Sequence, residues 1–488
     1  MRKPAFRKAQ KGRQLASTTS VPAPVMGWNA KDSLANMEEL FAVETDNFFG
    51  QTTDVRVRRG WENHVTGIGA QVESLMPYNS QDGTTTLFGA AGDSFYDMTT
   101  AGAVGAAVVG SLSWTAITSA SSPAIVGVTT TDIVNATVFK RRMYLILNNS
   151  LSLYYLPIDS VGGTAKSTRL DGYFSQGGYI VSAGTWTLDA GEGLDDYFVV
   201  VSSEGQVAVF NGTNPSSAST WSLVGVWNLG EPVGRRCLMK YGGDLLYLNV
   251  QGLYPLSKAM QSSQVNPEVA LTDNISRAFT EATFAHKSKD GWDITFFPQG
   301  NQVLVNIPVR SGSEQEQYVM NTITNSWWRF TGIESNCWAI SNEKLYFGGN
   351  GNVGHFGEVY ADNTENIVTN LKQAFSYLGS KGRVKKINSL RPVLLANGTP
   401  SVSVAISVDF GDEYGVTALT FSPNPQGTWD SATWSSGIWG GDVSNFYDWQ
   451  TVSGVGTAVS LRMTTVSNGL DLRHASTDYV YENGGVIV

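Results

Sequence analysis

The chain has 488 residues, of which 52 are Gly, 14 Trp, 19 Tyr and 21 Phe, and only 15% are charged. At that length a single core rarely suffices, so two or three domains are expected, and the composition is that of many short strands joined by tight turns, which excludes a helical bundle. The formal net charge is -9, and without the six basic residues of the N-terminal stretch 27 Lys and Arg face 42 acids, a balance of about -15 that argues against a body gripping nucleic acid.

Residues 1–24 begin with Arg2, Lys3, Arg7, Lys8, Lys11 and Arg13 and continue rich in Ser, Thr and Pro, which predicts a flexible basic arm able to dock on an acidic partner. The arm runs into polar Ser17 to Ser20 where a signal peptide needs an apolar core, and nothing in the chain is apolar for long enough to span a bilayer. Synthesis in the cytoplasm without processing or membrane insertion is therefore expected. In the lead-in segment, 25–70, Asp32 and Ser33 offer an N-cap before Leu34, Met37, Leu40 and Phe41, spaced as one apolar helical face, so a short helix is expected within 33–49. A second helical spacing covers 268–279.

From 71 to 360 one small pattern recurs: an aliphatic and aromatic strand, a Gly/Asn turn, then another such strand. It stands at 87–96, 144–154, 197–210, 245–254, 294–305 and 345–356, roughly 50 residues apart, a period typical of propellers and solenoids. Beyond 361 the strands lengthen, and 401–408 alternates cleanly, as a strand with one buried face does. The predicted fold is thus all-β: a β-propeller of about six blades, a C-terminal β-sandwich-like platform over 361–488, and a short N-terminal helix. Trp429, Trp434, Trp439 and Trp449, set among Gly and Ser in the platform, either pack its turns or present a binding surface.

Little in the sequence has the form of a reactive site. The run Gly349 to Gly354 matches G-x-G-x-x-G, but the residues after it are strand-like, and a dinucleotide site needs a helix there to hold the pyrophosphate. A hairpin turn needing positive φ explains it better. His64, His286, His355 and His474 are scattered singly, Cys237 and Cys337 lie far apart, and no metal or other cofactor is expected. Two acidic pairs, Asp195 with Asp196 and Asp409 with Asp412, have the residue types for glycoside hydrolysis, although acids beside strand ends are mostly solvated turns. Lys381, Arg383, Lys385, Lys386 and Arg391 form the dense positive cluster of the body, with Arg383 and Lys385 expected on one strand face opposite Val384, suited to a protein contact.

Several blocks resemble a known family. Gly27-Trp28-Asn29 with Asn47-Phe48-Phe49, Val55-Arg56 and Arg59-Gly60, then Met320 to Phe330, then Ala374 to Gly379 leading to Lys385-Lys386 and Leu390-Arg391-Pro392, and finally Asp478 to Gly485, are similar in order to the tail nozzle proteins of short-tailed bacteriophages. The resemblance implies a noncatalytic virion component: a hexameric homo-oligomeric ring below a tail adaptor ring, carrying tail fibres or spikes, that retains packaged DNA and conducts it during ejection without sequence-specific binding. Acidic walls around the passage would then let DNA slide. The alternative from the residues is a glycan-binding or glycan-cleaving propeller acting at a host cell surface, with acids and Trp forming the sugar site.

Overall fold

The computed structural model describes residues 16–108, 121–122, 124–189, 194–261, 266–310, 314–411, 413–421 and 443–486. The basic residues Arg2, Lys3, Arg7, Lys8, Lys11 and Arg13, together with Asp412, Trp429, Trp434 and Trp439, lie outside them. The chain divides into two compact units, one of residues 28–32 and 58–367, the other of residues 1–27, 33–57 and 368–488. Both are built from β-strands, in an all-β, multi-sheet, propeller- and sandwich-like architecture. Among the described residues no helix is long and apolar enough to cross a membrane.

The larger unit is mainly a succession of antiparallel strand sets, with short parallel pairings of Ile125–Val126 with Gly163–Thr164 and of Trp61–Asn79 with Gly102–Ala103. Strands Ile133–Phe139, Arg142–Leu147, Ser152–Tyr155 and Lys166–Arg169 make one; Ile180–Asp189, Leu194–Ser202, Gln206–Gly212 and Trp221–Asn228 make the next. Leu238–Tyr241, Asp244–Asn249 and Gly252–Pro255 follow, then Asp293–Phe297, Gln302–Arg310, Glu314–Asn321 and Trp327–Thr331. The long strand Trp61–Asn79 belongs to two sets at once. Its second half pairs with Thr85–Ala91, while its first half pairs with Asn350–Phe356, the third strand of the set Cys337–Ser341, Lys344–Gly348, Asn350–Phe356. The earliest strand of the unit is thereby stitched to its last sheet.

The hairpins follow from residues that tolerate left-handed backbone. Asn149, Asn301, Asn325 and Asn342 sit at φ of 51, 52, 56 and 47°, where a short polar side chain bonds locally and a β-branched one would clash. Between them the apolar residues interleave into cores. One gathers Val199, Val209, Leu246, Leu248, Phe279, Val303, Val305 and Trp327, and another Phe139, Tyr144, Tyr155, Phe198 and Phe210. In the second, Tyr144 and Phe198 meet at 4.5 Å between ring centroids, and Phe210 stacks on Trp221 at 5.4 Å. Packed rings of this kind add to the area that they remove from water.

Neither helical expectation holds in its place. Within 33–49 two short turns form, with Met37 N–H donating to the Ser33 carbonyl and Phe41 N–H to the Glu38 carbonyl, both at 3.1 Å, and the chain then extends into the strand Phe41–Asp46, paired with Ile367–Gln373. Asp32, expected to cap, instead accepts from the Asn29 side chain at 2.8 Å. Sheet pairing and burial of Phe41 and Ala42 outweigh a helical spacing too short to sustain itself. The second helix forms as Ser276–His286, because Pro267 and its cap Asn266 commit the preceding residues to a 3-10 turn.

In the smaller unit Arg383–Ala396 and Leu472–Val486 run antiparallel along most of their length, with Ser17–Pro22 on the far side of the latter. A second set of strands there joins Val402–Val408 to Val459–Ser467 and to Glu413–Ala418.

Candidate active site

In the larger unit the leading strand of each sheet neighbours that of the next, from Ile133–Phe139 through Ile180–Asp189, Leu238–Tyr241 and Asp293–Phe297 to Cys337–Ser341. They converge on two adjoining cavities of about 370 and 630 Å³, which share Asn135, Arg235 and Arg236. Ser182, Thr185, Lys240 and Asp293 line the smaller; Glu73, Lys289, Asp290, Trp292 and Asn336 line the larger. A single Arg pair therefore forms the shared wall of a polar cleft.

Asp293 is the unusual group. It opens a strand whose neighbours Trp292 and Ile294 are buried, and is itself only 6% exposed. Its carboxylate accepts from the backbone N–H of Trp338 at 3.1 Å and of Ile294 at 2.9 Å, with Arg236 Nη1 at 3.6 Å. Burial nevertheless dominates and pushes the carboxyl up to about 6, against the opposing pull of Arg236 and the two amides. Arg236 is steadied by donating to the Glu73 carbonyl at 2.8 Å, and its side chain is 39% exposed to the cleft. Behind Asp293 a buried amide network holds the flanking loops: Asn306 donates to the carbonyls of Gly291 and Ser335, and Gln317 donates to Asn306 Oδ1 and to the Ile333 carbonyl. A partly neutral acid, a neighbouring cation and a rigid back wall can together deliver a proton to an oxygen in the cleft.

Of the acids singled out from the sequence, Asp412 and the side chain of Asp195 lie outside the described residues. Asp196 accepts from Thr187 Oγ1 at 2.8 Å within its own sheet. Asp409 sits at φ 48° in a turn, where its carboxylate takes the Thr457 hydroxyl and the N–H groups of Thr457 and Ala458; these hold it below the usual carboxylate range although burial opposes them. Asp293 was overlooked because an acid starting an apolar run, Trp292-Asp293-Ile294, looks like a turn residue when its tertiary neighbours are unknown.

The positive cluster is also not one face. A register shift between Arg383 and Lys385 breaks the alternation, and Lys385 is 1% exposed, its Nζ bonded to the carbonyls of Ser380, Arg383 and Thr457 at 2.5, 3.1 and 2.9 Å. Arg391 pairs with Asp478 at 2.7 Å and lies over the Trp449 ring at 4.8 Å, and Lys381 lies 4.9 Å from the centroid of the Tyr377 ring. Arg383 and Lys386 are exposed.

Of the histidines, His474 is buried against Thr477 and pushed down to about 4 by burial, and His64 contacts the Met98 carbonyl at 3.0 Å. His286 lies beside Lys289, and His355 faces Glu62 and Glu358. Cys237 and Cys337 are free and buried, and burial pushes both thiols up to about 12. The run Gly349 to Gly354 turns from Lys344–Gly348 into the strand Asn350–Phe356, with Gly351 at φ 87°.

No family model matches the chain, and no curated protein matches it. Solved structures do. An exo-beta-1,3-galactanase from Phanerochaete chrysosporium with galactose has a TM-score of 0.31 and 11% identity over 86% of this chain and 100% of that one. A glycoside hydrolase family 43 arabinoxylan arabinofuranohydrolase from Bacillus subtilis with cellotetraose gives 0.26 and 8% over 85% and 80%. YCF48 from Cyanidioschyzon merolae gives 0.22 and 11% over 56% and 66%.

Neither of the first two is a phage tail component, and the expectation of a noncatalytic bacteriophage tail nozzle for DNA ejection is corrected to the fold alone, an all-β, propeller- and sandwich-like architecture. The cleft walls carry both signs, with Arg235, Arg236, Lys240 and Lys289 beside Glu73, Asp290 and Asp293. The block from Met320 to Phe330 that resembled the nozzle family is a turn with Asn325 left-handed, followed by Trp327, Trp328 and Phe330 in the core, features that β-structure requires whatever its function. At such low identity and TM-score, no residue role passes from these structures to this chain.

Proposed function

We propose that this protein is a glycan-active propeller enzyme that hydrolyses a glycosidic bond in the central cleft, with Asp293 as the proton donor. The observation that carries this reading is the buried Asp293 carboxyl, pushed up to about 6, in the wall of a polar cavity beside Arg236. Near neutral pH part of its population keeps a proton that an ordinary aspartate has lost. In the reaction the Asp293 proton goes to the departing glycosidic oxygen as its bond to the anomeric carbon breaks. Water supplies the new bond to that carbon, and a second carboxylate takes the water's proton. Glu73 and Asp290, lining the adjoining cavity, are the candidates for that second role, and Asn135, Arg235 and Lys289 offer donors to sugar hydroxyls. In this proposal the strand sets form six blades, with Trp61–Asn79 shared between the first and the last as the closing strand.

The test is hydrolysis of a panel of aryl glycosides and polysaccharides by the full chain. Asp293→Asn should lower turnover at least about 100-fold in protein that is still folded by circular dichroism; single Glu73→Gln and Asp290→Asn variants identify the second carboxyl. An inert wild type that also retains no glycan on an array, or an Asp293→Asn enzyme of undiminished activity, would overturn the proposal.

A further inference from the structure

His355 and Glu62 are register partners on the antiparallel strands Asn350–Phe356 and Trp61–Asn79, so their side chains share one face. Glu358 is brought to the same place by Gly357, whose φ of 105° turns the chain just past the strand. His355 is 6% exposed, and its Nδ1 lies 3.6 Å from Glu62 Oε1 and 3.7 Å from Glu358 Oε2. Those separations are too long for hydrogen bonds. One ligand atom from each of the three residues falls within 4.8 Å of the others. Ligands about 2.1 Å from a tetrahedral ion stand about 3.4 Å apart, so only a small contraction is needed.

We propose that Glu62, His355 and Glu358 form a zinc-class divalent-cation site that staples the first strand of the propeller to its last sheet. An imidazole with two carboxylates selects a borderline ion such as Zn²⁺ over Ca²⁺ or Mg²⁺, which prefer all-oxygen shells. The surroundings fit. Lys344 Nζ holds Glu358 Oε1 at 2.9 Å and leaves Oε2 turned toward His355, which is how an outer partner orients a ligating carboxylate. The Tyr346 ring lies 5.2 Å from the imidazole at 34° and fixes its plane. Glu62 and Glu358 are 54% and 51% exposed, so water reaches the fourth position. The site is independent of the proposed hydrolysis, being built from residues outside the cleft.

Chelator-treated full chain titrated with ZnCl₂, with MgCl₂ as control, provides the test by calorimetry and melting. One equivalent should bind, and zinc at about 100 times Kd should raise Tm by several degrees, with little response to magnesium. His355→Ala and Glu62→Gln should each lose the zinc response, and Lys344→Met should weaken binding about 10-fold. Glu62 is half exposed, so Glu62→Gln should melt like the metal-free wild type and carries the test if His355→Ala does not fold. Absence of saturable one-to-one binding, or binding undiminished in Glu62→Gln, would overturn the site.

Discussion

The protonation of Asp293 should be readable in the stability of the protein. In the unfolded chain its carboxyl titrates near 3.8, and in the folded protein burial pushes it up to about 6. A difference of about two pKa units corresponds to about 3 kcal/mol. The sign follows from the direction. Between these values the native state holds a proton that the unfolded chain releases, so this contribution is present in full below about pH 4, declines through the window and is lost above about pH 6. Asp293→Asn carries no titrating group and lacks that slope, so the stability difference between wild type and variant should change by about 3 kcal/mol from pH 4 to pH 7. Urea unfolding followed by Trp fluorescence at half-unit pH intervals would measure it, with Trp292 and Trp338 close to the site as reporters. Profiles that stay parallel through that window would show that Asp293 is solvated or already ionised, and would remove the physical basis for its role as an acid.

If Asp293 donates the proton, kcat/KM should fall as pH rises above about 6, and a pH profile flat to 8 would contradict that. Arg58 is fully buried, pairs with both oxygens of Asp362 at 2.8 and 2.6 Å, and also donates to the Thr331 carbonyl. Arg58→Met should cost about 3–5 kcal/mol by chemical denaturation, because it strands a buried carboxylate, while Arg58→Met with Asp362→Leu should recover much of the loss. At Gly60 an added Cβ would fall 1.9 Å from the Ala361 carbonyl oxygen, so Gly60→Ala should lower stability by about 1–3 kcal/mol or more, read as a fall in Tm. Lys385→Met would leave three carbonyls without their ammonium donor, for an expected loss of about 2–3 kcal/mol in urea titration, with activity preserved in the folded fraction.

The β architecture was legible because its signals are local. A run such as Leu345-Tyr346-Phe347 followed by Gly and Asn names both its strand and its turn, and the structure places Lys344–Gly348 and Asn350–Phe356 accordingly. Local signals misled where tertiary pairing decides. Phe41 fits a helical face equally well, but the strand that it opens, Phe41–Asp46, pairs with Ile367–Gln373. Lys385 reads as surface charge until a register shift turns it inward. The candidate acid was hidden for the same reason: Asp293, Arg236 and Trp338 come together only when their sheets neighbour one another, and no spacing in the chain records that. The resemblance to nozzle proteins rested on turn and core residues, which specify how strands pack and say little about what a surface does.

The double membership of the strand Trp61–Asn79 has a consequence during synthesis. Trp61 pairs with Phe356, and almost three hundred residues must be translated between them. At about 5–20 residues per second the first half of that strand waits on the order of 15 to 60 s for its main partner. Until then the nascent chain shows an unsatisfied row of amides and carbonyls to every other molecule nearby. The interval in which this protein is most exposed to misassembly is therefore set by the ribosome, and slowing or truncating translation before residue 356 should raise aggregation more than equal destabilisation of the finished fold.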